Sequence, residues 1–302
     1  MWQGVFPAVT TKFDEGGTLD HREMARCFAL QIEAGVDGLI VTGSLGENQT
    51  LERDEKLAVL QTALDVAGGR VPVLATIAES ATHAACRQAA ASAEAGAAGL
   101  MVLPGLPYKS DRAETLAHYR AVARAGGLPV MIYNNPVAYG VDLTPEMLEE
   151  LAADDLFVAV KESSDDVRRV IDIANLLGDR YALFTGVDNL ALESLAVGAV
   201  GWVAGLVCAF PRETVAVYRL ARQGRFAEAL AIYRWFRPLL DLDVSTRLVQ
   251  NIKLAEALAI GSNDRVRPPR LPLSGAERER VTTIVEKALA SRPTLPDLAD
   301  AA

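Results

Sequence analysis

Lys161 is the residue with the clearest chemical potential, and it follows five mostly apolar residues in the stretch LFVAVKE (156–162). An ammonium group at the end of an apolar segment is costly unless it is paired or uncharged. Partial desolvation lowers the pKa of a lysine, and the neutral amine is a nucleophile toward a carbonyl or imine carbon. The alternative is an ordinary ion pair with Glu162 or Asp165 at the end of a strand. Taken alone, Lys161 leaves both interpretations open.

Three further positions could serve the same chemistry. Tyr133 ends the apolar run 128–134, and a phenol held near a reacting atom can carry a proton, although a half-buried aromatic is the ordinary alternative. Segment 43–47, GSLGE, has glycines that let backbone N–H groups approach an anion, and Ser44 adds a hydroxyl. A plain tight turn is its alternative, since the lysine of a phosphate loop is missing. Gly186 is either a point of close ligand approach or a simple strand end.

Together these residues supply an amine, a phenol and an anion-binding loop. That combination suits Schiff-base chemistry on a small 2-oxo or 2-imino acid. In such a reaction the lysine bonds C2, the glycine-containing loop holds the C1 carboxylate, and the tyrosine moves protons. The chemistry requires that all of them lie on one face of the fold.

Eight short apolar runs alternate with amphipathic stretches and would provide that face. Each run is apolar almost throughout, as is typical of strands buried on both sides. The runs cover residues 4–10, 38–43, 71–77, 99–104, 128–134, 156–162, 181–186 and 200–205. A helix end, a tight turn and a buried strand recur in EAGVDGLIV, EAGAAGLMV and AVGAVGWVA. The pattern predicts an α/β fold, a (β/α)8 TIM barrel with catalytic groups at the carboxyl ends of its strands. A doubly wound open sheet is the rival, but its strand count is usually lower.

Local signals mark several helices. Asp20 and Glu23 form a possible capping box before the helical stretch 19–35. Thr144 is the expected N-cap of a second helix, with Pro145 at its first position. After the eighth run the chain is helical, with a last helix near 275–290. We therefore predict a barrel over residues 1–210 and a helical C-terminal extension over 211–302, packed on the barrel.

Composition narrows the classes of partner. The formal charge of −9 over 302 residues argues against nucleic acid and anionic membranes. Cys27, Cys86 and Cys208 are isolated, as expected of reduced thiols in a cytoplasmic protein. No apolar stretch approaches the roughly 18 residues of a membrane helix, and the three histidines lack the spacing of zinc ligands. These features predict a cytoplasmic protein without a zinc site.

Several ordered motifs extend over nearly the full chain: GVFPAVTTKFDEGGTLD, GSLGE, YNNP, VKESS and FTGVDN. On these motifs the chain resembles the dihydrodipicolinate synthase and N-acetylneuraminate lyase family of class I aldolases. The resemblance implies that Lys161 is the Schiff-base lysine and Tyr133 the proton-transfer tyrosine. Ser44 and the backbone of Leu45 would bind the substrate carboxylate, and the Gly186 carbonyl would line the site. It also implies no metal or organic cofactor and a homotetramer built as a dimer of dimers.

The chain departs from the synthases of that family at three positions. Leu45 replaces a second hydroxyl residue, and Ala138 replaces an arginine that grips the carboxylate of the aldehyde substrate. Leu106 stands where the synthases carry a relay tyrosine from a subunit contact, and Tyr108 and Tyr139 are nearby in sequence. A methyl group cannot make the two hydrogen bonds of a guanidinium, so the chain lacks the residue that binds the aldehyde substrate in a synthase. Leu45 and Ala138 also offer no polar group that could bind the long polyol substrate of a sialic acid lyase.

The segments TGSLGEN, YNNPVAYGVDLTPEM and GWVAGLVCAFPRETV are most similar to the 1-pyrroline-4-hydroxy-2-carboxylate deaminase branch. The expected reaction is a dehydrating deamination to 2,5-dioxopentanoate and ammonia. One alternative is an aldolase or dehydratase for 4-hydroxy-2-oxoglutarate or a 2-oxo-3-deoxy sugar acid, and another is dihydrodipicolinate synthase itself. A catalytically dead barrel that binds a small acid, or a phosphate-binding barrel, is the alternative from another class.

Overall fold

The structure, a computed structural model, describes residues 2–105 and 107–298. Eight parallel strands each lie inside one of the apolar runs: β1 (Gly4–Pro7), β2 (Leu39–Val41), β3 (Val73–Ile77), β4 (Gly99–Val102), β5 (Val130–Asn134), β6 (Phe157–Glu162), β7 (Ala182–Thr185) and β8 (Gly201–Ala204). Their order is β1-β8-β7-β6-β5-β4-β3-β2, and a bridge between Ala8 and Ile40 joins the two ends. The predicted TIM barrel is confirmed.

The helices alternate with these strands and continue after β8. They are α1 (His21–Glu33), α2 (Arg53–Ala67), α3 (Thr82–Glu94), α4 (Arg112–Gly126), α5 (Pro136–Tyr139), α6 (Pro145–Leu151), α7 (Arg168–Leu177), α8 (Ala191–Ala196), α9 (Pro211–Arg222), α10 (Phe226–Leu240), α11 (Leu248–Ile260) and α12 (Gly275–Ala290). Within the described residues, none of them has the length and apolar character needed to cross a membrane.

The helix starts agree with the sequence signals, with one difference. The Asp20 side chain accepts a hydrogen bond from the backbone N–H of Glu23 at 3.0 Å, so Asp20 is the N-cap of α1. The reciprocal half of the predicted capping box is not formed, because the Glu23 carboxylate pairs with Arg26 instead. Thr144 is the N-cap residue of α6 and Pro145 is its first residue, as predicted, although the threonine side chain makes no capping bond.

Strand side chains divide between two apolar cores. One fills the barrel and includes Phe6, Met101, Met131 and Phe184, with Phe6 and Phe184 packed edge to face at 5.3 Å. The other lies between the barrel and the surrounding helices. Both sides of the strands are therefore buried, which is why the runs are apolar throughout and could be predicted.

The C-terminal helices pack against the barrel and reach the carboxyl ends of its strands. Helix α9 contacts β8 and β1, α10 packs on α9, and α11 packs on α12. The loop between α10 and α11 lines the cavity at the carboxyl ends of the strands, an end that we call the barrel mouth. The division at residue 210 stays a prediction, and α9 is the helix that follows it directly.

Two buried ion pairs join α11 to the mouth. Lys12 Nζ lies 2.6 Å from Glu256 Oε2, and their side chains are 0% and 1% exposed. Thr10 donates a further hydrogen bond to Glu256 at 2.9 Å. Lys253 pairs with Glu47, and both side chains are fully buried. In such pairs the loss of one partner leaves the other charge without water or counter-charge.

Replacement of Lys12 by methionine should therefore lower the free energy of unfolding by about 3–5 kcal/mol, because Glu256 is then buried without a counter-charge. Denaturant unfolding measures the loss. Arg112→Met is the matched control: the Arg112–Glu150 pair is 49% and 45% exposed, so its removal should cost no more than about 1 kcal/mol. Equal losses in the two variants would contradict the assignment of a buried, strongly coupled pair.

Candidate active site

One cavity of about 500 Å³ lies at the barrel mouth. All five residues that the sequence singled out for the site line it: Ser44, Leu45, Tyr133, Lys161 and Gly186. They come from the ends of β2, β5, β6 and β7, strands that the sequence placed in one sheet. The closed barrel brings these strand ends to one face, so the five residues line a single cavity, and their roles there stay predictions.

Lys161 and Tyr133 are neighbours across two paired strands. They are partners in the register of β5 and β6, so both side chains point into the barrel mouth. The Lys161 Nζ lies 3.9 Å from the centroid of the Tyr133 ring, and each side chain belongs to a residue only 6% exposed. The aromatic face shields the amine from water and leaves its other side toward the cavity.

The ion pair that was the alternative for Lys161 is not formed. The Glu162 carboxylate instead accepts hydrogen bonds from Asn134 at 3.0 Å and from the Ser164 backbone at 2.7 Å. Asp165 is exposed. Burial lowers the pKa of Lys161, so the neutral amine is more abundant than in water.

Gly186 makes room for the lysine at the end of β7. A Cβ at this position would lie 2.1 Å from Ser163 Oγ and 2.6 Å from Lys161 Cε. Both distances are far below contact distance, so any side chain at residue 186 would displace the stem of Lys161. Residue 186 must therefore lack a side chain for Lys161 to keep its place, a steric requirement that the sequence alone did not show.

A second tyrosine extends the array of hydroxyls. The rings of Tyr133 and Tyr139 meet edge to face at 5.6 Å, and the Tyr139 hydroxyl lies 2.5 Å from Ser44 Oγ. Burial raises the pKa of both phenols, so both stay protonated at neutral pH. Of the two tyrosines considered as a replacement relay, Tyr139 is in the cavity, whereas Tyr108 is 63% exposed and bonds Glu114. Leu106, the position of the relay tyrosine in synthases, lies outside the described residues.

The 43–47 loop is fixed from several directions and keeps two donors free. Glu47, at the loop's end, has a φ of +58° and pairs with Lys253, and Thr11 donates to the Gly46 carbonyl at 2.6 Å. The backbone N–H groups of Ser44 and Leu45 donate to no residue that the structure describes. Rigid, unpaired N–H donors beside a hydroxyl are the components of an anion site.

The C-terminal extension contributes to the cavity, which the sequence did not predict. Asp243 and Val244, from the loop between α10 and α11, lie in its wall. The helical pattern of this region gave no sign that one of its loops covers the mouth. Below this loop, Asp188 accepts hydrogen bonds from the Trp202 indole at 2.9 Å and the Leu206 backbone at 2.8 Å.

The cavity is asymmetric in charge. Among the described residues that line it, Lys161 is the single basic one, and Asp165 and Asp243 are acidic. The Ala138 position offers a methyl group. One carboxylate can therefore bind at the 43–47 loop, and a second one on the ligand would meet no cation.

The chain is similar to known proteins over almost its whole length. The model of the dihydrodipicolinate synthetase family matches residues 1–288. A 4-hydroxy-tetrahydrodipicolinate synthase of Methanospirillum hungatei is 33% identical over 290 residues, which cover 95% of this chain and 98% of that protein. A synthase of the same name from Xanthomonas campestris is 33% identical over 299 residues, with 97% and 98% covered. The solved synthase of Methylacidiphilum fumariolicum SolV superposes with a TM-score of 0.90 at 26% identity, covering 96% and 98%.

Substitution of Gly186 by alanine should slow imine formation with pyruvate by about a hundredfold, because the new methyl group displaces Lys161 from its approach. Borohydride trapping followed by mass spectrometry gives the rate. Gly16→Ala, in an exposed turn with an ordinary φ, is the control and should leave the rate unchanged. A normal trapping rate in Gly186→Ala would refute the steric role.

Proposed function

The chain belongs to the dihydrodipicolinate synthetase family of class I aldolase-type lyases, and from that premise we propose that it deaminates a cyclic 2-imino acid. The substrate that the site supports best is 1-pyrroline-4-hydroxy-2-carboxylate, and the products are 2,5-dioxopentanoate and ammonia. The observation that carries the proposal is the charge of the cavity. Its described wall contains one lysine and no second cation, beside the 43–47 loop that we propose binds an anion.

The substrate carboxylate binds at the 43–47 loop in this proposal. The Ser44 hydroxyl and the free backbone N–H groups of Ser44 and Leu45 are its donors. A substrate with a second carboxylate would need a cation near Ala138, where a methyl group is found, and would also face Asp243. Bringing an unpaired carboxylate into such a site costs several kcal/mol by the general penalty for buried charge, roughly 2–5. The hydroxypyrroline has one carboxylate and avoids that cost.

Lys161 supplies the covalent step. Its neutral amine attacks C2 of the ring imine, and the ring nitrogen leaves C2 as an amine that is still attached to C5. The product is an open-chain Schiff base between Lys161 and C2, and its positive charge makes the C3 protons acidic. The lowered pKa of Lys161 supports this role, because the attacking form is the neutral amine.

Tyr133, Tyr139 and Ser44 form the proton path. Tyr133 contacts the lysine, Tyr139 contacts Tyr133, and Tyr139 is hydrogen-bonded to Ser44. We propose that Tyr139 takes over the task that a partner-chain tyrosine has in the synthases. The path then lies within one chain, so it does not depend on the dimer-of-dimers assembly that the resemblance implies.

The remaining steps release water and ammonia. Loss of a C3 proton gives an enamine, and departure of the C4 hydroxyl gives a conjugated iminium. A proton shift from C5 creates an imine at C5, whose hydrolysis yields the aldehyde and ammonia. Hydrolysis of the bond to Lys161 completes the cycle. One water is lost and two are consumed, so the net reaction is a hydrolysis.

A synthase is the second candidate, because the relatives at 33% identity carry the name 4-hydroxy-tetrahydrodipicolinate synthase. It requires the aldehyde substrate of those enzymes to bind without the arginine that Ala138 replaces. An aldolase or dehydratase acting on a 2-oxo acid is the third, since it needs the same Lys161 and the same carboxylate site.

A turnover screen separates these candidates. Purified protein is incubated with 1-pyrroline-4-hydroxy-2-carboxylate, 4-hydroxy-2-oxoglutarate, a 2-oxo-3-deoxy sugar acid, or pyruvate with the aldehyde substrate of the synthases, while ammonia and pyruvate are measured. We expect ammonia and 2,5-dioxopentanoate in equal amounts from the first compound. Pyruvate release without ammonia would identify an aldolase, and pyruvate consumption would identify a synthase.

The Lys161→Ala variant is the mechanistic control of that screen. It should lose at least about a thousandfold in kcat, and borohydride should add no mass to it. Lys287→Ala, far along the chain in α12, should behave like the natural protein. Substantial turnover by Lys161→Ala would refute the covalent mechanism, and an untrappable natural protein would point to a barrel that binds without catalysis.

Removal of the Tyr139 hydroxyl, as Tyr139→Phe, should lower kcat about a hundredfold while imine formation with pyruvate largely survives. The hydroxyl is needed to pass protons, whereas Lys161 keeps its surroundings. Tyr108→Phe removes the exposed phenol at the other considered position and should have no effect. The reverse result, a defect in Tyr108→Phe alone, would move the relay to that residue.

A further inference from the structure

Asp243 is the acidic side chain that the C-terminal extension adds to the cavity. Its carboxylate lies against the backbone of Gly205, at the end of β8: a Cβ on Gly205 would be 2.3 Å from Asp243 Oδ1. Strand β8 neighbours β7, and β7 neighbours β6, which carries Lys161. The absence of a side chain at Gly205 therefore lets the carboxylate enter the mouth on the same side as the lysine.

No residue that the structure describes donates a hydrogen bond to this carboxylate or forms an ion pair with it. Asp188 makes the contrast clear, since its carboxylate accepts bonds from Trp202, Gly205 and Leu206 and is fully buried. Asp188 has the contacts of a structural acid. Asp243 is half-buried, so its carboxyl group is open to a ligand in the cavity, and such acidic groups are typical of functional sites.

The surroundings of Asp243 favour its protonated form. Burial of the carboxyl group and the negative charge of Asp188 raise its pKa well above the ordinary value, and Lys161 opposes the rise. A carboxylic acid whose pKa is raised in this way keeps its proton to a higher pH than in water and can donate it to a leaving group.

We infer that Asp243 is a catalytic acid that contacts the distal hydroxyl of the substrate and protonates it as it leaves C4. This inference rests on the proposed function and adds to it the group that assists the dehydration. It also gives the distal part of the site a hydrogen-bond donor for a substrate hydroxyl and no positive charge for a second carboxylate.

The step balances in atoms and charge. In the enamine on Lys161 the nitrogen electron pair re-forms the C2 iminium, and the C2=C3 pair becomes a C3=C4 double bond. The C4–O bond breaks, and the proton of Asp243 joins the departing oxygen, which leaves as water. The Asp243 carboxylate then accepts a proton from C5, which gives the dienamine and restores the acid.

The two cavity tyrosines are poorer candidates for this task. Burial raises the pKa of Tyr133 and of Tyr139, so both phenols are weaker acids toward a departing hydroxide than a carboxyl group. Both also belong to the β5 side of the mouth, next to the Lys161 amine and Ser44. This position beside the lysine suits the tyrosines to remove and return the proton on C3.

The test compares two leaving groups in Asp243→Asn, an isosteric variant that cannot donate an acidic proton. With 1-pyrroline-4-hydroxy-2-carboxylate we expect ammonia release to fall by about a hundredfold or more. With the 4-fluoro analogue, fluoride departs without protonation, and we expect its release to change by less than about tenfold. Asp243→Glu keeps a carboxyl group and should restore part of the activity on the hydroxy substrate.

Two controls establish that the site is intact. Pyruvate trapping at Lys161 should proceed normally in Asp243→Asn. Asp241→Asn, two residues earlier in the same loop, removes a carboxylate that pairs with Arg237 and should leave both activities unchanged.

The outcomes are distinct. An equal loss with both leaving groups, or no loss with either, overturns the acid role of Asp243 while the deaminase activity of the natural protein stands. A natural protein that traps pyruvate but releases no ammonia from the hydroxypyrroline overturns the proposed function and the acid role together. Loss confined to the hydroxy substrate supports Asp243 as the acid.

Discussion

The proposed chemistry depends on one constraint: an amine must be held at the mouth of a barrel, buried enough that its pKa falls, and without a carboxylate bonded to it. Lys161 meets this condition because the Tyr133 ring covers one side of its Nζ and Gly186 leaves room for its stem. The adjacent Glu162 is engaged by Asn134 and Ser164, so it does not neutralise the lysine. A salt bridge at this point would favour the ammonium form and suppress nucleophilic attack.

Other buried charged residues at the mouth form ion pairs, and these pairs hold the surrounding loop and helix in place. Glu47 pairs with Lys253, and Lys12 pairs with Glu256, so these charges fix the 43–47 loop and α11 relative to one another. The same region thus contains closed ion pairs and two open groups, Lys161 and Asp243. Closed pairs hold geometry, whereas open groups remain available to a ligand. Helix α11 in this way supports the proposed carboxylate site, and its first residue, Leu248, lines the cavity.

Much of this could be predicted from sequence, for physical reasons. The strands are buried on both sides and therefore read as continuous apolar runs, and parallel strands in a closed barrel bring their carboxyl ends together, so Lys161, Tyr133 and Ser44 could be assigned to one face. Asp243 could not be found, because it lies in a loop whose position depends on how α10 and α11 pack. Tyr139 was one of two open possibilities, since a four-residue helix decides where its hydroxyl points. Only one of the two hydrogen bonds of the capping box predicted at Asp20 forms, because the Glu23 carboxylate pairs with Arg26.

The cavity differs from that of the synthases in the half that would bind a second carboxylate. Where those enzymes grip a second carboxylate with an arginine, this chain has Ala138, and the described cavity wall contains acidic side chains but no further base. Two features act together: Ala138 removes the attraction of a guanidinium for a distal anion, and Asp243 places a proton donor in that half of the cavity instead of a cation. Its carboxyl group can hydrogen-bond a distal hydroxyl, so in the proposed function the site orients an alcohol where a second carboxylate would find no counter-charge. A barrel that keeps its Schiff-base lysine can thus change substrate class through the half of the cavity that does not touch C1 or C2.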